Sequence, residues 1–141
     1  MKIVLDTNVL LVSFSRKSEF RIIFDAFLKE EITLCVTTDI LVEYEEIIGK
    51  HMGYEIASNV LQLIENAPNT EFVVRYYKWD IIKEDPDDNK FVDCAIASNA
   101  KYLVSDDRHF NILKNIEFPK VEVLTAGAFK EELMYKKENE Y

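Results

Sequence analysis

Apolar residues follow two different periods along this chain. Ile3, Val4 and Leu5 run together without polar alternation, as do Tyr102 to Val104, and Ile32 to Val36 is apolar but for Thr33. Short uninterrupted apolar runs of this kind predict strands buried on both faces, as in a parallel sheet. Glu71 to Tyr76 predicts a strand nearer an edge, and Val121 to Leu124 the last strand. Between them the period lengthens. Phe20, Ile23, Phe24, Phe27 and Leu28 recur at helical spacing and predict a helix over about 18–29. Ser13 to Glu19 is polar and reads as a loop.

Thr37 and Thr38 are good helix caps for a segment of about 39–50, whose apolar face is Ile40, Leu41, Tyr44, Ile47 and Ile48. Gly49 or Gly53 can end it. Further helices are expected over about 54–66, before Pro68, and over about 126–137 after Thr125. A helix over about 88–100 is apolar on most sides, which marks a central one. Residues 107–113 add a helical turn or two, and Lys136 to Tyr141 reads as a frayed tail. The order is β-α-β-α-α-β-α-β-(α)-β-α. It predicts a three-layer α/β/α sandwich with a mostly parallel central sheet, in a single domain spanning 1–141.

Composition agrees with a folded globule: 48% hydrophobic and 12% aromatic residues, with Gly and Pro only three each and no linker. No apolar run approaches the roughly 20 residues of a membrane span. A strand begins within two residues of Met1, so no signal peptide is expected and a cytoplasmic location is. Cys35 and Cys94 lie in apolar surroundings and are expected to be reduced core residues. The net charge of −9 argues against a long phosphate-binding surface, which would need Lys and Arg. It also asks for an explanation, and a metal site is one.

Parallel topology turns acids into geometry. Asp6 follows the first strand, and Asp106 and Asp107 follow the strand at Tyr102. The helix at 39–50 starts at the same carboxyl edge with Glu43, and the helix at 88–100 starts there with Asp88 and Asp93. That edge is where open α/β sheets place ligands. Asp88 taken alone reads as a helix cap. Asp93 lies on a helix with little polar face and needs a cation or hydrogen bonds if buried. Glu45 competes with Glu43, and Asp106 with Asp107; spacing does not separate them. Converging like charges need neutralising, which hard divalent cations with oxygen ligands do. His51 and His109 are isolated, read as surface residues, and form no zinc pattern. Phosphate-binding glycine loops and a G-x-S-x-G elbow are absent.

Four stretches together resemble the PIN-domain family: Ile3-Val-Leu-Asp-Thr-Asn-Val-Leu10, Thr38-Asp-Ile-Leu-Val-Glu-Tyr44, Asp85-Pro-Asp-Asp-Asn-Lys-Phe-Val-Asp-Cys-Ala-Ile-Ala97 and Tyr102-Leu-Val-Ser-Asp-Asp-Arg108. The resemblance covers about residues 1–125, and the third stretch looks like the bacterial branch often paired with an antitoxin. It implies a ribonuclease dependent on one or two Mg²⁺ or Mn²⁺ ions. Asp6, Glu43, Asp93 and Asp107 match the catalytic acids. Asp6, Asp93, Asp107 and Asp88 are the metal ligands that the match implies. It favours Glu43 over Glu45 and Asp107 over Asp106. Asp106 departs from the small residue common at its position. Asn8 and Ser105 are expected to orient the carboxylates by hydrogen bonds. Arg16, Lys17, Arg21, Lys90 and Arg108 are candidates for RNA backbone contacts. RNA, a cognate antitoxin and a second copy of the chain are the partners implied. A non-catalytic RNA-binding or protein-interaction module on the same fold is the alternative. An aspartyl phosphotransferase would show a second acid where Asn8 stands, and a receiver domain an acidic pair near the first strand.

Overall fold

The structure is a computed structural model that describes residues 1–139. The central sheet is five-stranded, in the order β3-β2-β1-β4-β5, with every pairing parallel. Its strands are β1 (Lys2–Leu5), β2 (Thr33–Val36), β3 (Thr70–Phe72), β4 (Tyr102–Val104) and β5 (Val123–Leu124). The helices are α1 (Thr7–Phe14), α2 (Arg21–Leu28), α3 (Thr38–Met52), α4 (Tyr54–Asn66), α5 (Asn89–Ser98) and α6 (Ala126–Asn139). Together they form the expected α/β/α sandwich.

Ile3, Val4 and Leu5 are almost wholly buried, because β1 is the middle strand and has helices over it. β1 pairs with β2 on one side and β4 on the other. The chain builds outward from β1 to β3, then returns through α5 to add β4 and β5 on the opposite side. The strand order therefore reverses between β1 and β4, and the crevice at their carboxyl ends is the position such sheets use for ligands.

Several elements differ from the sequence expectation. α1 begins directly after β1, although the apolar periods predict no helix before about residue 18. Eight residues rich in Val and Leu make a weak isolated helix, so burial of Thr7, Val9, Leu10 and Ser13 supplies its stability. The β3 strand is shorter than expected, and residues 73–85 cross the molecule without regular structure. The turn after β4 is a 3-10 helix over Arg108–Asn115. Residues 136–139, expected to fray, continue α6; the rest of that expected tail lies outside the described residues.

Local chemistry sets the ends of the helices that reach the crevice. The Thr37 hydroxyl accepts from Ile40 N at 3.4 Å and caps α3, while Lys50 and His51 complement its carboxyl end. Gly53, at φ 92°, makes the sharp junction between α3 and α4. Asn99 ends α5 in the left-handed conformation that Asn tolerates. Tyr44 is fully buried, and its hydroxyl donates to Leu5 O at 2.6 Å. That bond ties α3 to the end of β1 and brings the preceding residue, Glu43, to the crevice. Cys35 and Cys94 are buried free thiols, and burial pushes the Cys35 thiol up to about 11. No helix among the described residues is long and apolar enough to cross a membrane.

Candidate active site

Asp6 closes β1 and is held from both sides. Its amide donates to Val104 O at 3.0 Å, across to β4. Its carboxylate accepts from the buried Ser105 hydroxyl at 2.7 Å. The same Ser105 Oγ accepts from Asp107 N at 3.0 Å, so one hydroxyl sets the spacing of two acids. Asp107 Oδ1 in turn accepts from His109 N at 2.9 Å. Burial raises the Asp6 carboxyl above its ordinary range; the Ser105 bond opposes this, and the nearby charges of Glu43 and Asp107 add to it.

Asp88 enters from the turn before α5. Asp85 caps that 3-10 turn by accepting from Asp87 N at 3.2 Å, and Pro86 supplies a preset φ. The Asn89 side chain then clamps the incoming chain: its Oδ1 accepts from Ile82 N at 2.8 Å and its Nδ2 donates to Ile82 O at 2.9 Å. Asp88 is pushed up to about 6, first by burial and then by the charges of Asp85, Asp107 and Asp6, with the His109 bond opposing. Glu43 accepts from the Thr7 hydroxyl and, at 2.8 Å, from Lys90 Nζ. Asp6, Glu43, Asp88 and Asp107 thus share one crevice, and their charges act on one another.

Asp93 is not brought into this cluster. Its side chain is 1% exposed, and its carboxylate accepts from Arg75 Nη1 and from Trp79 N, each at 3.2 Å. The charges acting on it are those of Arg75, Asp80 and Asp39. Burial raises its carboxyl despite the Trp79 and Arg75 partners. The reason is rotation: five residues of helix advance about 140° beyond a full turn, so positions 88 and 93 project on different sides. Both acids lie at one end of α5, which is why both were expected at one metal, but the helix turns them to different sides.

Other expectations separate in the same way. Asp106 accepts from Ala126 N at 2.9 Å and so holds the start of α6, while Asp107 faces the crevice. Glu45 is exposed. Asn8 is exposed too, and the orienting bond expected of it comes from its neighbour Thr7. Lys90, expected to touch RNA, is buried between Glu43 and Asp87, 2.8 Å from each. Arg21 pairs with Asp25 at 2.9 Å and donates to Phe14 O at 2.6 Å, fastening α2 to the end of α1. Arg16, Lys17 and Arg108 are exposed. His51 is exposed, as expected, but His109 is not a plain surface residue. Its ring lies among Glu84, Asp88 and Asp107, at 3.2 to 3.3 Å. The available signal was its place two residues beyond the strand-ending acid.

The donor set of the crevice is almost entirely carboxylate oxygen, which fits a hard divalent cation such as Mg²⁺ or Mn²⁺. A model of the PIN domain family matches residues 2–109, a stretch that contains every one of these acids. The chain belongs to the PIN domain family. Among solved structures, the crystal structure of VapBC2 from Rickettsia felis bound to a DNA fragment from their promoter contains a chain of similar fold. The likeness has a TM-score of 0.60 and 17% identity, covering 89% of this chain and 98% of that one. At that identity it speaks for the fold. No curated protein matches this chain. For this PIN domain, acids from the end of β1, α3, the turn before α5 and the end of β4 meet in the β1–β4 crevice.

Proposed function

We propose that this PIN domain is a divalent-metal-dependent endoribonuclease, and that it is the toxin half of a toxin–antitoxin pair. The observation that carries the nuclease reading is the convergence of Asp6, Asp88 and Asp107, with Glu43 beside them, at the carboxyl edge between β1 and β4. In this reading Asp6, Asp88 and Asp107 hold the ion. Bound there, Mg²⁺ or Mn²⁺ supplies a low-pKa water and neutralises charge on a phosphate. Ser105 keeps Asp6 and Asp107 at a set spacing. Thr7 and Lys90 fix the direction of Glu43, and Lys90 tempers its charge beside Asp6. Arg16, Lys17 and Arg108, being exposed, are left free for backbone phosphates. The toxin reading is supported by the family and by the solved VapBC2 complex of similar fold.

The test is cleavage of end-labelled single-stranded RNAs with Mg²⁺, Mn²⁺ or EDTA, using wild type and Asp6→Asn. Metal-dependent cleavage by wild type, lost in Asp6→Asn, is expected. Intact RNA across a varied panel, with metal shown to bind, would assign the fold to a non-catalytic module. For the partner, the product of an adjacent small reading frame is expected to co-purify with the chain and suppress cleavage.

A further inference from the structure

The acid cluster holds one group that an all-oxygen centre does not need. His109 Nδ1 lies 3.2 Å from Asp88 Oδ2 and 3.3 Å from Asp107 Oδ1. Ligand atoms from Asp85, Asp88 and His109 all lie within 4.8 Å of one another. Neighbouring ligands on a cation with bonds of about 2.1 Å lie about 3.0 Å apart in octahedral geometry and about 3.4 Å apart in tetrahedral geometry. The spacings around Nδ1 fall between those limits. The ring is also held in place: its own amide donates to Asp107 at 2.9 Å, and the next residue, Phe110, is fully buried.

We propose that His109 ligates the metal through Nδ1 beside Asp88 and Asp107, with Asp85 within reach, making a mixed nitrogen–oxygen centre that holds Mn²⁺ in preference to Mg²⁺. Carboxylates serve both ions, so the acids alone discriminate weakly. Imidazole suits first-row transition metals, whereas Mg²⁺ keeps oxygen ligands and water. The competing role is an imidazolium that serves only as counter-charge to Glu84, Asp88 and Asp107. That role makes the opposite prediction, because removing the ring would then make room for a cation.

The proposal rests on the metal-centre reading above, and its test uses no RNA. Mn²⁺ and Mg²⁺ are titrated into wild type, His109→Ala and His109→Gln, and the Mn²⁺ forms are examined by pulsed electron paramagnetic resonance. Circular dichroism checks each fold, and His109→Gln, which keeps a hydrogen-bond donor, serves if the alanine variant fails to fold. Wild type is expected to show imidazole ¹⁴N coupling that both variants lack. The ratio of Mn²⁺ to Mg²⁺ affinity is expected to fall roughly tenfold or more in the variants. Bound Mn²⁺ without nitrogen coupling in wild type, or tighter Mn²⁺ binding by His109→Ala, overturns the proposal. Nitrogen-coupled Mn²⁺ in a protein that cleaves no RNA would overturn the nuclease reading alone. Mg²⁺-supported cleavage without nitrogen coupling would overturn only the role of His109.

Discussion

Arg75 Nη1 lies 3.2 Å from Asp93 Oδ2, and this ion pair holds Asp93 apart from the acids of the β1–β4 crevice. Arg75 also reaches Asp39 on α3 at 3.2 Å, so the pair pins the irregular segment 73–85 across α5 and α3. Removing one partner of a fully buried pair costs about 3–5 kcal/mol; Arg75 is 20% exposed and keeps Asp39 as a partner, so the loss here is smaller. Asp93→Ala is therefore expected to destabilise the protein by about 2–4 kcal/mol and leave Mn²⁺ affinity within about twofold. Asp88→Asn is expected to do the reverse: to weaken Mn²⁺ binding at least about tenfold at little cost in stability. Denaturant melts and Mn²⁺ titrations of both variants check this, and loss of metal binding by a folded Asp93→Ala would return Asp93 to the site.

Asp106 and Asp107 are adjacent yet serve different neighbours. Asp106 accepts from the first amide of α6, and loss of such a cap costs about 1 kcal/mol. Asp106→Ala is thus expected to lower stability by about 1 kcal/mol with cleavage unchanged. Asp107→Asn is expected to abolish cleavage with a smaller change in melting temperature. Equal loss of activity in the two would place Asp106 in the centre as well.

Stability should fall as pH rises through the acid range. Asp88, at about 6 in the folded protein, keeps a proton that the unfolded chain loses near 4. The native state binds more protons in that window, so the metal-free protein loses stability as pH climbs from about 4 to 6, and the penalty persists above 6. His109 is raised too, chiefly by its bond to Asp88, so its contribution is complete below about 6.5 and is lost as pH rises through its folded value. Both push in one direction. In EDTA the protein is expected to be more stable at pH 5 than at pH 8, with Asp88 contributing about 1–3 kcal/mol. Asp88→Asn is expected to flatten the profile. Urea melts at both pH values measure it, and a wild-type profile that rises over this range would contradict the crowding of the crevice.

Lys90 and Glu43 form a pair, 2.8 Å apart, whose lysine side chain is only 7% exposed. Lys90→Met should leave Glu43 half-buried without its cation and cost about 1–3 kcal/mol. Glu43→Gln in the same chain should recover much of that loss. A double-mutant cycle on urea melts is expected to give a coupling of at least about 1 kcal/mol. A coupling near zero would mean that Lys90 is held by Asp87 alone.

The sequence by itself determined the sandwich and most of its order, because buried parallel strands and amphipathic helices write their periods directly into neighbouring residues. It also determined which end of the sheet collects acids: Asp6, Glu43, Asp88 and Asp107 each follow a strand or open a helix at that edge. α1 was not legible, since an eight-residue helix rich in Val and Leu exists by virtue of what covers it. Only the tertiary structure decided which acids face one another. Whether Asp93 meets Asp6 or Arg75 depends on the rotation of α5 about its own axis, set by packing on β1, β2 and β4. Whether Lys90 reaches solvent or Glu43, and whether His109 lies on the surface or among Glu84, Asp88 and Asp107, depends on where residues 73–88 and 108–115 are laid over the crevice. Those are distances between segments far apart in the chain, and local spacing carries no record of them.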